Sequence, residues 1–269
     1  MRATRPSLAA VLIAGYWDLN RVLRALRWPA LVAFLLLSLC YAAAPFAGAL
    51  FAHTLFGKVV LKQAIQLGGL VLIAPFLIAV HRFVLLGEVT PRYILDFSSP
   101  RLRLFAGWMI VLGLIAAIPS LILAATAAGP PVYYPGSVGR PPAMALGSSL
   151  LVLTASILVF AFLIRMAILL PAVALDAPGT IWQNAVADTQ GSGWFIACAS
   201  ALAGIPPALL YVVIGLLVRA VVPWPLPALI VLLLSLAAVF FVALALGVAI
   251  ASRLYQALGD RLNRPVPAG

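Results

Sequence analysis

Apolar residues gather along this chain into long runs almost without charge, and the runs close where arginine enters. The run that organises the rest extends from Ser148 to Leu175, its one charge, Arg165, standing shortly before Leu169-Leu170-Pro171. Residues Ser148 to Ile164, at ~1.5 Å per residue, cover most of a ~30 Å hydrocarbon core. Arg165 therefore falls at a membrane boundary, its stem along the helix and its guanidinium in water or phosphate. The same construction closes at Arg82 and at Arg253. Six spans are predicted, near 29–51, 63–84, 104–127, 147–170, 194–219 and 227–251. A backbone in hydrocarbon must satisfy its own hydrogen bonds, and runs this long without period-2 alternation exclude a barrel. The fold class is all-α, a polytopic transmembrane helical bundle.

Before the first span, Leu12, Tyr16, Leu19, Leu23 and Leu26 recur at steps of four and three, with Asn20, Arg21, Arg24 and Arg27 on the other side. Residues 1–28 thus read as an amphipathic helix in the membrane interface, followed by a transmembrane domain over 29–251 and a tail over 252–269. A signal peptide is the rival reading, but no small-x-small cleavage site follows the short run Leu8 to Trp17. Gly129 to Met144 is the one long connection, its prolines forbidding regular structure. Arg92 to Phe97 can form a short amphipathic turn, and Ser99-Pro100 offers an N-cap and a first-turn proline for the third span. Thr180 can cap a short helix running to Gln190, which Gly191-Ser192-Gly193 ends.

Composition agrees: 65% of the 269 residues are hydrophobic and 9% charged, and the mean hydropathy is +1.18. Of 17 basic residues only Lys58 and Lys62 are lysine. In a six-span topology Lys58, Lys62, Arg140 and Arg219 fall on one side, while the other arginines and all six acids fall on the other. The positive-inside rule makes that richer side, with both termini, cytoplasmic. A net charge of +11 is then explained by topology and anionic lipid rather than nucleic acid, since no basic run with interleaved aromatics sits on a soluble module. The arginine and alanine bias suggests a bacterial genome, hence an inner membrane.

An internal repeat is expected: interfacial helix, span, span, arginine, three times, which makes three helix hairpins. Odd-numbered spans carry proline well inside, at Pro45, Pro119 and Pro206-Pro207. Paired prolines free carbonyls and can break a helix to line a cavity, or merely kink it. Ala243, Gly247 and Ala251 have small-xxx-small spacing, suited to close packing within the fold or to self-association.

Candidate chemistry is sparse. Two histidines, His53 and His81, exclude an H-E-x-x-H zinc site, and Cys40 and Cys198 lie inside apolar runs without metal spacing. No G-x-S-x-G elbow or phosphate-binding glycine loop occurs, and no acid sits at a span centre. The expectation is a non-enzyme with no cofactor and no metal. His81, Arg82 and Glu88 form the best cluster; on a continuing helix His81 and Glu88 share a face, and the carboxylate would tune the imidazole. Arg165 reads as a snorkelling anchor, a headgroup ligand, or an ion-pair partner of Asp176 or Asp188.

Arg165 with Leu170-Pro171-Ala172, then Trp182, Ala187, Thr189, Gly191 and Trp194, resembles a pattern of uncharacterised bacterial six-span integral membrane proteins. More distantly it is similar to the membrane domain attached to some glycerophosphodiester phosphodiesterases. His81-Arg82 before Gly87-Glu88 is similar to a companion motif in the former group. The resemblance covers about 80–195 and implies a six-helix membrane module without assigned chemistry; the phosphodiesterase activity is not carried over. The expected function is a scaffold or accessory module engaging anionic lipid or a protein partner through Arg82, Arg92, Arg101, Arg103 and Arg165 on the cytoplasmic face. The alternative is a carrier for a lipid or amphipathic small molecule with a cavity near Pro206 and Pro207.

Overall fold

The computed structural model describes residues 6–127, 142–221 and 225–264. Among them every regular element is helical: α1 (Leu8–Ala25), α2 (Arg27–Phe51), α3 (Leu55–Leu86), α4 (Pro100–Ala127), α5 (Pro142–Met166), α6 (Leu169–Ala174), α7 (Trp182–Asp188), α8 (Gly193–Val221) and α9 (Pro225–Leu258). Six of these, α2, α3, α4, α5, α8 and α9, are long and apolar enough to cross a membrane, one for each predicted span. The chain is a multi-pass membrane protein. Most of the proline-rich connection after Gly129, with Arg140, lies outside the described residues.

Helix ends follow their local chemistry. The hydroxyl of Thr54 accepts the Gly57 N–H at 3.0 Å, so α3 starts eight residues before its predicted boundary and carries Lys58 and Lys62 on helix. At its far end Gly87 takes φ 73, a left-handed cap that stops α3 and reverses the chain. Ser99 does precede Pro100 at the start of α4, its carbonyl accepting the Arg103 N–H at 3.1 Å. The organising run is two helices: α5 ends at Met166, and after a turn the short α6 is buried, with Leu169, Ala172 and Ala174 at 0% exposure. The short helix foreseen through Gln190 ends at Asp188, and Gly191 marks the turn into α8.

Helices α3 and α9 stand at the centre, α3 against α2, α4 and α9, and α9 against α8, α1, α2 and α3. Their seam with α2 is aromatic: Phe241 meets Phe34 edge-on at 5.8 Å and stacks on Phe76 at 5.2 Å. In lipid such packing carries association, because tails are as apolar as leucine; each ring pair contributes roughly 0.5–1.5 kcal/mol beyond area burial. α5 and α8 are peripheral, and α8 leaves Leu209, Val212 and Leu216 exposed to the surrounding lipid.

The first helix is not the free interfacial cylinder its sequence suggests. Val11, Gly15, Asp18, Leu19 and Val22 are its buried residues, while Tyr16 and Trp17 are exposed. The buried stripe is thus rotated from the predicted one. The reason is tertiary: α1 docks on α9 so closely that a Cβ on Gly15 would stand 2.6 Å from the Ile250 side chain, and buried Asp18 holds Arg253.

Candidate functional site

Arg82 lies in the last turns of α3, followed by the Gly87 reversal, and that reversal folds Glu88 back over it. Arg82 Nε donates to Glu88 Oε2 at 2.7 Å and an Nη to Oε1 at 2.8 Å, a bidentate pair; the other Nη donates to the Ala174 carbonyl at 3.3 Å, capping α6. The expected His81–Glu88 pairing does not form, because α3 stops before it can bring them onto one face. His81 instead turns into the bundle, buried, with Nδ1 2.8 Å from Ser252 Oγ and its ring edge-on to Phe105.

Across from Arg82, Arg101 in the first turn of α4 is ion-paired to Asp176 through Nε at 2.8 Å and a second, shorter contact from Nη2. Asp176 follows α6 with φ 53, so it presents its carboxylate outward. Asp188 accepts the N–H groups of Arg261 and Leu262 at 2.9–3.0 Å, fastening the segment after α9. The ion-pair alternative for Arg165 is not realised: Asp176 pairs with Arg101 and Asp188 with backbone N–H groups. All six acids are engaged at this end of the bundle: Asp18 with Arg253, Glu88 with Arg82, Asp176 with Arg101, Asp188 with backbone, Asp260 with Arg264, and Asp96 with Ser98. Acids here act mainly as staples for the short helices and connections.

Between these staples a cavity of about 280 Å³ opens, lined by Arg82, Arg92, Arg101, Thr90, Tyr93, Asp96 and Ser99 above a floor of Pro29, Pro75, Ile78, Ala79 and Leu102. Its roof is the connection 87–99, which has no regular secondary structure. Tyr93 pins that segment by donating its hydroxyl to the Leu72 carbonyl, one turn before Pro75 within α3. Burial pushes the Tyr93 hydroxyl up to about 12, so it remains a donor. The Ser98 hydroxyl and N–H, donating to Asp96 at 2.6 and 2.9 Å, hold that carboxyl below its usual range. Arg92 has no hydrogen-bond or ion-pair partner among the described residues. A guanidinium has five N–H donors, and Arg82 and Arg101 have not spent all of theirs. Arg82 and Arg101 are paired to Glu88 and Asp176, so of the three Arg92 is the unpaired cation, with Asp96 in the same wall. Its guanidinium and the spare donors of its two neighbours, over an apolar floor, suit a phosphate whose substituent is apolar.

Three of the five arginines singled out from sequence thus converge. Arg103 is exposed on α4 and Arg165 half-buried at the end of α5, and neither lines the cavity. Sequence reasoning did not place Thr90, Tyr93 or Asp96 here; the available signal was the Gly87 cap, which forces the polar segment back across the helix ends. Pro206 and Pro207 sit in an unbroken α8, Pro206 exposed and Pro207 buried. The fifth span is not a broken helix, because neighbouring turns maintain it. A cavity of about 130 Å³ lies beside it, lined by Ala203, Gly204, Ala243, Gly247 and Ala251 but by neither proline. The small-residue face of α9 therefore looks toward α8 within the same chain.

No protein family, curated protein or solved structure matches this chain.

Proposed function

We propose that this is a non-enzymatic protein of the bacterial inner membrane, both termini cytoplasmic, which binds a phospholipid headgroup in the cavity of Arg82, Arg92 and Arg101. The observation that carries the reading is the convergence of those three guanidiniums, one of them unpaired, at one end of the long apolar helices, the level at which a headgroup is expected. Headgroup capture at that face suits a scaffold or accessory module whose roof, residues 87–99, is the surface a protein partner would meet. A carrier route beside Pro206 and Pro207 has less support, since the adjacent space is only about 130 Å³. Hydrogen exchange in nanodiscs tests the proposal: added phosphatidylglycerol should slow exchange over residues 90–99, and unchanged exchange would refute it. An impermeant thiol reagent applied to intact cells carrying Asn263→Cys should react only after the inner membrane is opened; reaction without opening would refute the orientation.

A further inference from the structure

At the opposite end of α3 the chain holds a second charged feature, unrelated to the arginine cavity. Lys58 and Lys62, the only lysines in the sequence, stand at i and i+4 in the first two turns of α3, with Gln66 one turn further on the same face. That placement is electrostatically unfavourable twice over. Like charges at this spacing repel, and cations at a helix N-terminus oppose its dipole. All six acidic side chains are engaged at the other end of the bundle, so no carboxylate among the described residues neutralises the pair.

The lysines border a cavity of about 400 Å³ between α2, α3 and α9, whose remaining walls are Tyr41, Ala44, Gly48, Leu233 and Leu236. Gly48 faces the Lys58 stem, which passes 3.9 Å from where a Cβ would stand, an ordinary contact distance. Tyr41 and Gln66 also line an adjoining space of about 190 Å³ that reaches apolar Leu37, Leu67, Leu70 and Phe240. Together these volumes lie in the range of roughly 300–1,000 Å³ typical of ligand sites. Lys62 is about twenty residues, or ~30 Å of helix, from Arg82, which sets it at the opposite hydrocarbon boundary, with the apolar space running inward from it.

We propose that this cavity binds an anionic single-chain amphiphile, its phosphate or carboxylate head between Lys58 and Lys62 and its chain running between α2, α3 and α9. Two cations at headgroup level with an apolar trough beneath match that chemistry, and an anion would relieve both electrostatic penalties.

Native mass spectrometry in a neutral saccharide detergent, with oleoyl lysophosphatidylglycerol as the probe, tests this. The protein carrying Arg92→Gln, which disables the arginine cavity and serves as the wild type for this test, should take up one probe molecule about tenfold more tightly than the zwitterionic oleoyl lysophosphatidylcholine. Lys58→Gln/Lys62→Gln should remove that preference and Lys58→Arg/Lys62→Arg should keep it. Leu236→Phe, which fills the trough, should weaken both lipids. Arg103→Gln, at the other end and outside both cavities, should change nothing. Undiminished binding to the glutamine double variant would overturn the proposal. Displacement of the probe by inorganic phosphate, with Leu236→Phe indistinguishable from wild type, would also overturn it, leaving an anion site without a trough.

Discussion

Asp18 and Arg253, 235 residues apart in the chain, meet in a bidentate pair, Nε to Oδ2 at 2.6 Å and Nη2 to Oδ1 at 2.9 Å. The carboxylate is 3% exposed and the guanidinium 29%, so the aspartate depends on its partner far more than the arginine does. This pair, rather than an amphipathic stripe alone, fixes α1 against α9. Arg253→Leu should therefore cost up to roughly 3–5 kcal/mol by leaving a buried carboxylate with only the longer Arg21 contact at 3.9 Å, whereas Asp18→Leu/Arg253→Leu should recover much of that loss. Chemical unfolding in detergent, run as a double-mutant cycle, measures the coupling; strictly additive losses would remove it.

Gly179 marks where the segment after α9 docks. Its N–H donates to the Leu262 carbonyl at 3.0 Å, and a Cβ there would stand closer than 3.0 Å to the carbonyl oxygens of Arg261, Leu262 and Arg264. Those are backbone atoms that cannot swing aside. Gly179→Ala should release residues 259–264, seen as faster hydrogen exchange at Leu262 and earlier proteolysis there, with the six long helices intact. Unchanged protection at Leu262 would mean the docking is not set by this contact.

His81 and Ser252 allow a tautomer assignment. The Ser252 hydroxyl donates to the Val248 carbonyl at 2.9 Å, so its oxygen is left to accept from His81 Nδ1 at 2.8 Å. The imidazole should be the Nδ1–H form. Nitrogen chemical shifts of labelled histidine read this directly, and Ser252→Ala should both shift them and cost roughly 1–3 kcal/mol by stranding a buried donor. Shifts of an Nε2–H imidazole would contradict the geometry.

Tyr93 gives a pH signature for the roof of the arginine cavity. Burial raises its hydroxyl from 10.0 to about 12, so the folded state favours the neutral phenol. That contribution is complete below pH 10 and is lost as pH rises from about 10 through about 12. Thermal stability of the wild type should fall more steeply than that of Tyr93→Phe across this window. Parallel curves would show that the hydroxyl is not buried.

The long helices were legible because hydrocarbon imposes length and composition on anything that crosses it, and Ser99-Pro100 announced the start of α4 by capping chemistry. The grouping of Arg82, Arg92 and Arg101 was legible only as membership of one face. Their convergence depends on Gly87, whose left-handed turn sends Glu88 to Arg82 rather than to His81. Ion-pair choice was not legible either: Asp176 goes to Arg101, 75 residues away, a pairing set by how α6 is buried against α4. The rotation of α1 about its axis escaped for the same reason, because an amphipathic stripe says which residues are apolar and not which neighbour they will meet. For Pro206 and Pro207 local reasoning overstated the break that neighbouring turns repair.

Retention of a phospholipid headgroup by the three converging arginines is what the proposed function requires. Asp96, the one acid in the cavity wall, sharpens it: Asp96→Asn removes a repelling charge and should strengthen phosphatidylglycerol retention about twofold to tenfold. Most direct is native mass spectrometry of protein released from phosphatidylglycerol-containing nanodiscs, comparing wild type, Arg92→Gln and Arg103→Gln. Arg92 lines the cavity and engages no carboxylate, whereas Arg103 is equally charged, on the same end, and outside it. Retained phosphatidylglycerol that falls several-fold in Arg92→Gln and is unchanged in Arg103→Gln is the result expected. Equal losses in both variants, or none in either, would show that lipid meets this end as a diffuse basic surface and that the cavity is not its site.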